Sequence, residues 1–223
     1  MDLLEAIKKR HAVRQFTDKK IEGDIKKNLL DIIDECNGES GLKIQLCLED
    51  EDIFKGGFIG RFSSFNNVKN CIAIVGKKFK DLDEKAGYYG EKIVIKATQL
   101  GLNTCWAAGG YNKSKINVEI EKGEKLVIVI AIGYGIDEGK THKVKPLEKL
   151  GYAKDKMPQW FRKGLESAQL APTARNQQKF KFTLLNENLV KAETSFGFFT
   201  KIDLGIAKYH FEVGADSKEW SWK

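Results

Sequence analysis

The chain has 223 residues, 42% apolar and 31% charged, which suits one sizeable core or two smaller halves sharing one. No stretch approaches the roughly 18 continuous apolar residues of a membrane span. The start, MDLLEAIKKR, has an acid at its second residue and no apolar core before a cleavage site, so it does not read as a signal peptide; a cytoplasmic protein is expected. The net charge of +7 sits on lysines interleaved with acids, as in IEGDIKKNLLDIIDE, without the basic block and aromatics of a nucleic-acid surface. A small anionic ligand remains compatible with it.

In chain order, residues 2–9 read as a short helix with Leu3, Leu4 and Ile7 on one face, followed by a loop, RHAVRQFTDKKIEG. Residues 24–36 place Ile25, Leu29, Ile32, Ile33 and Cys36 at helical spacing, and LKIQLCL (42–48) alternates as a strand. Residues 53–70 read as irregular. CIAIVG (71–76) reads as a buried strand and 86–100 as a central helix ended by Gly101. LVIVIAIGYG (126–135) reads as a mid-sheet strand. Residues 136–158, polar and holding two of the three prolines, read as a linker. Then come a helix (159–170), a strand (180–185) with Phe180, Phe182 and Leu184 on one face, and a final helix (203–215).

This mixture predicts an α+β fold, a central sheet flanked by helices. Residues 24–48 and 159–185 both run helix, loop, strand, and each is followed by a glycine-containing helix, YYGEKIVIKATQLG or IDLGIAKYHFEVGA. That repetition predicts an internal duplication with a compressed second copy. The four cysteines form no C-x-x-C pair and read as buried free thiols, and the histidines at 11, 142 and 210 are too scattered to support a metal site.

Four stretches could carry chemistry. In KKRHAVRQF (8–16), Arg10, His11 and Arg14 could converge in one loop, with guanidinium forks suited to phosphate and polar ring edges. In THKVKPLEKL (141–150), Lys143 and Lys145 point the same way if extended. In LAPTARNQQ (170–178), Pro172 stops a helix, and Thr173, Asn176 and Gln178 offer neutral donors and acceptors suited to the edge of a heteroaromatic ring. In GLNTCWAAGG (101–110), small residues after Trp106 would let backbone groups approach a flat ligand. Each has an ordinary reading too: surface charge, a solvated linker, a capped turn or a structural turn.

Together and in this order, over roughly 1–185, these stretches resemble the nitroreductase-like family of FMN-dependent oxidoreductases. AIKKRHAVRQF resembles the family's N-terminal arginine-rich motif, and YYGEKIVIKATQLGLNTCWAAGGY its central helix and the loop over the flavin. LVIVIAIGYG with HKVKPLEKL resembles its late strand and basic phosphate tail, and LAPTARNQQKF its Pro-Ser-x-x-Asn-x-Gln loop. The resemblance implies a nitroreductase-like fold with a central, mostly antiparallel sheet, an FMN cofactor, NADH or NADPH as donor, and a nitroaromatic, quinone or similar small acceptor reduced by ping-pong kinetics. No side chain need act as acid or base, so no catalytic residue is named. The alternative is a flavin-binding protein without turnover.

In the usual family member the Pro-Ser-x-x-Asn loop follows the second helix; here that place holds ECNGESG, and the loop lies in the second helix–strand unit. The chain resembles the branch related to a thermophilic bacterial protein, in which one polypeptide mimics the family's homodimer. Residues 1–150 would then be a phosphate-clamping half and 157–223 the stand-in for the partner, in a monomer with one FMN. By the resemblance, Arg10, His11 and the backbone at Ala12 meet the phosphate or ribityl chain, helped by Lys143 and Lys145, and Arg14 meets the pyrimidine edge. Ala107, Ala108 and Gly109 approach N5, and Pro172, Thr173, Ala174 and Asn176 line the ring with Gln178 in support. Ala12 and Thr173 stand where the family has serine, and Lys179-Phe180 where it commonly has Pro-Trp.

Overall fold

The structure, a computed structural model, describes residues 1–50, 53–54, 65–216 and 220–223. The chain forms two compact units, residues 9–82 with 92–141, and residues 1–8 with 83–91 and 142–223. The second half read from the sequence, 157–223, falls wholly inside the latter. Each unit has its own four-stranded sheet, where the sequence suggested one central sheet.

In the first-sheet unit, β1 (Lys43–Cys47), β2 (Cys71–Lys77), β3 (Asn103–Ala107) and β4 (Glu124–Gly133) lie in the order β1-β2-β4-β3, all antiparallel. The two most apolar strands, β2 and β4, occupy the middle, as runs buried on both faces must. Register aligns Cys47, Cys71, Ala131 and Cys105 in one row and Ala73, Val129 and Ala107 in the next, and these residues share one core cluster. All four cysteines are buried free thiols. Residues 103–107 look like a turn in the sequence; their backbone instead pairs along β4 as an edge strand. Helix α2 (Gly23–Ser40) buries Leu29, Ile33 and Cys36 and ends at Gly41, whose φ of 71° is the left-handed closure that glycine accepts.

In the second-sheet unit the order is β5-β6-β7-β8: β5 (Gly151–Ala153), β6 (Phe180–Leu184), β7 (Leu189–Thr194) and β8 (Ser221–Trp222). Only the β6–β7 pair is antiparallel. The stretch read as a linker contains β5 and a one-turn helix, α4 (Leu147–Leu150), and the stretch left unassigned between the predicted strand 180–185 and the final helix contains β7. As expected, β6 buries Phe180, Phe182 and Leu184. Phe182 packs with Phe161 of α5 (Gln159–Ala168), Phe211 of α6 (Thr200–Ala215) and Trp222 in one aromatic core. Helix α1 (Leu3–Lys9) buries Ala6 and Ile7, whereas Leu3 and Leu4 are exposed, so the predicted face is off by part of a turn.

Helix α3 (Leu82–Gln99) contributes its 83–91 portion to this unit, where it crosses α6 at glycines. A Cβ on Gly87 would strike the carbonyl of Ile202, and a Cβ on Gly205 would strike the carbonyl of Glu84. The contacts are reciprocal: each glycine meets the residue three before the other. Beside them, His210 and Glu91 form a fully buried pair, Nε2 to Oε1 at 2.8 Å. His210 Nδ1 lies 3.2 Å from the Ser167 carbonyl, which can only accept, so Nδ1 carries a proton. Because both glycines face backbone that cannot move aside, Gly205→Ala is expected to cost about 2 kcal/mol or more. Urea unfolding of the two proteins measures it.

Candidate functional site

The N-terminal motif is positioned by short pairings inside the first-sheet unit. Val13 donates its N–H to the Thr104 carbonyl at 3.1 Å, and Ala12 bridges Thr104 in parallel, adding one rung to the β3 edge. Phe16 bridges Gly135, and Gly139, with φ +72°, brings the 136–140 loop against His11 and Ala12, where a Cβ would meet His11 Cβ at 2.8 Å. Arg10 is buried at 6% exposure and Arg14 is exposed. Burial pushes the Cys105 thiol's pKa up, and the charges of Arg14 and Arg10 oppose that rise.

Lys9, Arg10 and His11 line a cleft with Thr98, Gly101, Leu102, Asn103, Thr104 and Glu138. Thr104 is 1% exposed, and its hydroxyl meets no hydrogen-bond partner among the described residues. A buried hydroxyl left without a partner costs on the order of 1–3 kcal/mol, which a ligand oxygen would recover. Lys9, Thr104 and Glu138 were not singled out in the sequence; Lys9 belongs to the quoted motif, while Thr104 and Glu138 carry no local signal. Past the end of β3, Ala108 and Gly109 are exposed, and space is open where a Gly109 Cβ would stand.

The Pro-Thr-Ala-Arg-Asn loop lies in the second-sheet unit. Helix α5 ends at Ala168, four residues before Pro172, and closes through bonds from Gln169, Leu170 and Ala171. Arg175, Asn176 and Gln178 all have positive φ, 53°, 53° and 43°. Asn tolerates this region; Arg and Gln pay of order 1 kcal/mol or more each, which the surroundings must hold in place.

Two sets of bonds hold it. On one side is the 143–145 segment. Lys145 Nζ donates to the carbonyls of Gln177 and Gln178, both at 2.8 Å, and its N–H donates to Gln178 Oε1 at 2.8 Å. The Lys143 carbonyl accepts from Asn176 Nδ2 and Gln178 Nε2, each at 2.8 Å. Lys145, Asn176 and Gln178 are therefore engaged with one another, and only Lys143 of the lysine pair extends an exposed ammonium without such a role. On the other side is Asp203, buried at 3% in the first turn of α6. It accepts from the Ala174 N–H at 2.9 Å and from Gln177 Nε2 at 2.8 Å. Burial pushes its carboxyl up from 3.8 to about 6, against these two donors. Asp203 and Gln177 were missed by sequence reasoning; the one available signal was an acid inside the apolar run IDLGIA.

Mixed helices and antiparallel strands in this arrangement are the nitroreductase fold. A putative nitroreductase from Thermotoga maritima superimposes with a TM-score of 0.69 at 23% identity, over 96% of this chain and 83% of that one. A nitroreductase family protein from Streptococcus pneumoniae gives 0.53 at 19% identity, over 66% of this chain and 97% of that one. A putative NADH dehydrogenase/NAD(P)H nitroreductase from Parabacteroides distasonis gives 0.52 at 14%, over 67% and 96%. No curated protein matches the chain. Residues 2–215 match the family described as Putative TM nitroreductase, and the chain belongs to that family.

Because Asp203 binds its proton more tightly folded than unfolded, its contribution to stability is present at low pH and is lost as pH rises from about 4 through about 6. Between about pH 5 and pH 7 this loss amounts to about 1 kcal/mol. Asp203→Asn is expected to remove that part of the slope, which urea midpoints of both proteins at the two pH values would show.

Proposed function

We propose that the chain is an FMN-dependent oxidoreductase in which NADH or NADPH reduces a small acceptor, a nitroaromatic or a quinone, by a ping-pong mechanism. The observation that carries this reading is the cleft at Lys9, Arg10 and His11 with the buried, unpartnered Thr104 hydroxyl. Its donors fit a phosphate: a guanidinium fork, an ammonium, a ring N–H and a hydroxyl. Glu138 is the one acid among the lining residues and opposes an anion there.

Bound FMN supplies the hydride and electron transfer. The chain's own residues bind and orient. Lys9, Arg10, His11 and Thr104 hold the phosphate end, and Arg14 places positive charge toward the pyrimidine edge. The backbone after β3, at Ala107, Ala108 and Gly109, offers an open approach to the ring. Within the second-sheet unit, the resemblance assigns Pro172, Thr173, Ala174 and Asn176 to the ring, with Lys143, Lys145 and Gln178 fixing that loop. Membership of the nitroreductase family supports the chemistry, and the resemblance of the loop supports its role. The chain is proposed to work as a cytoplasmic monomer that does what two subunits do elsewhere in the family.

Titration with FMN, followed by flavin fluorescence, tests the site. Arg10→Ala is expected to weaken binding about tenfold or more, by the loss of a charged hydrogen bond. Asn176→Ala should weaken it by about threefold, the worth of a modest hydrogen bond. Glu138→Gln should tighten binding by about threefold at low salt and less at high salt. Binding indifferent to Arg10 would remove the cleft from the proposal. FMN that binds but is bleached by neither nicotinamide would make the chain a flavin-binding protein without turnover.

A further inference from the structure

Two of the four cysteines face each other across the first sheet, and neither has a part in the proposed flavin site. In the β1–β2 pairing Cys47 stands directly opposite Cys71. Opposite residues of antiparallel strands have Cα atoms about 4.5 or 5.5 Å apart and project their side chains to the same face. A disulfide accepts Cα separations of roughly 4.4–6.8 Å, so neither strand needs to move for a bond to form. The same row continues through Ala131 to Cys105. Cys105 is thus two strands from Cys71, about 9.6 Å at the usual spacing, beyond the roughly 7 Å a disulfide can span. Cys36 lies on helix α2, outside the row. The register selects one pair from the four.

The two thiols interact as well as align. A hydrogen bond from Cys71 holds the Cys47 thiol below its ordinary pKa of 9.0 against burial, and that bond together with burial pushes the Cys71 thiol up. Cys47 in turn donates to the Asn117 carbonyl, 3.3 Å from Sγ. Donation from a neighbouring thiol favours a thiolate at Cys47, and the thiolate is the nucleophile. Cys47 also has the better access: it ends β1 and is 4% exposed, against 0% for Cys71. The pair divides into an attacking thiol and a resolving one. Strand β1 lies at the edge of its sheet and is joined to it through β2, so a bond at this position would tie the edge strand covalently to the interior.

We propose that Cys47 and Cys71 form a reversible disulfide that clamps β1 to β2 when the chain meets a hydroperoxide. The Cys47 thiolate attacks one oxygen of hydrogen peroxide and the O–O bond breaks. Cys47 becomes a sulfenic acid, and the other oxygen leaves as water with the proton that Cys47 gave up. The Cys71 sulfur then attacks the Cys47 sulfur. The S–S bond forms, the S–O bond breaks, and the hydroxyl leaves with the Cys71 proton as a second water. Two thiols lose two electrons in all, and one peroxide is reduced to two waters. A dithiol such as dithiothreitol reverses the step by exchange, taking the disulfide and returning both protons. In the oxidised chain the Cys47 sulfur has no proton left for the Asn117 carbonyl, while closure of the chain between 47 and 71 restricts the unfolded state.

The test adds hydrogen peroxide to the folded full chain, alkylates the remaining thiols in denaturant, and reads intact protein and tryptic peptides by mass spectrometry. The expected result is the loss of two alkylation sites and one linked pair of peptides carrying Cys47 and Cys71, both reversed by dithiothreitol. Cys47→Ala and Cys71→Ala should each abolish the link, and Cys36→Ala and Cys105→Ala should leave it intact. The urea midpoint of the oxidised wild type should rise by about 1 M. The peptide map of wild type decides the matter even where a variant folds poorly. Four cysteines still open to alkylation after peroxide would overturn the proposal. So would a link to Cys36 or Cys105, a link between two chains, or Cys47 carried on to sulfinic acid beside a free Cys71. A urea midpoint that falls on oxidation would also overturn it, because the bond would then strain the sheet instead of clamping it. The clamp needs no flavin, so it stands or falls apart from the flavin reading.

Discussion

The close crossing of α3 and α6 is the constraint on which the second-sheet unit depends. Gly87 and Gly205 let two helix backbones meet without intervening side chains. Charged and phenolic side chains beside so close a crossing need partners, and they find them across it. Tyr88 donates to Glu212, Lys208 pairs with Glu84 at 2.8 Å, and Glu91 meets His210 in full burial. Such a buried pair is costly to break by removing one partner, because the other stays desolvated. The crossing therefore fixes the start of α6, and with it the carboxylate of Asp203.

From Asp203 the constraint passes to the loops. Its oxygens take the Ala174 N–H and the Gln177 amide, and Gln177 reaches on to the Phe198 carbonyl. Across the loop, Lys145 and Lys143 close the other side through Gln177, Gln178 and Asn176. Three residues in left-handed conformation are held by these bonds, so the loop is shaped before any ligand arrives. Preorganisation of this kind lowers the entropy a ligand must lose. The first-sheet unit uses a different means. There the motif at Arg10 and His11 is set by one extra rung on β3 and by the turn at Gly139, and among the described residues the buried Thr104 hydroxyl has no partner.

Elements with strong periodicity were legible in the sequence. Helices α2 and α5 and strands β2, β4 and β6 follow from spacing alone, because each buries a face whatever its neighbours do. Strands β3, β5, β7 and β8 did not, since NTCWA, GYA and LVKAET are short or polar and become strands only by pairing with a partner distant in sequence. The site divides the same way. Lys9, Arg10 and His11 are consecutive and could be read together, whereas Thr104 and Glu138 join them only through the fold. The Pro-Thr-x-x-Asn loop was visible as a motif, but its anchor Asp203 was hidden in the pattern of a helix.

The most direct measurement is the number of FMN molecules held per chain, taken by sedimentation with protein and flavin absorbance recorded on the same boundary. One FMN sedimenting with a monomer is the predicted result. A chain that holds no flavin, or that holds it only as a dimer with two sites, would contradict a single polypeptide that supplies a complete flavin site.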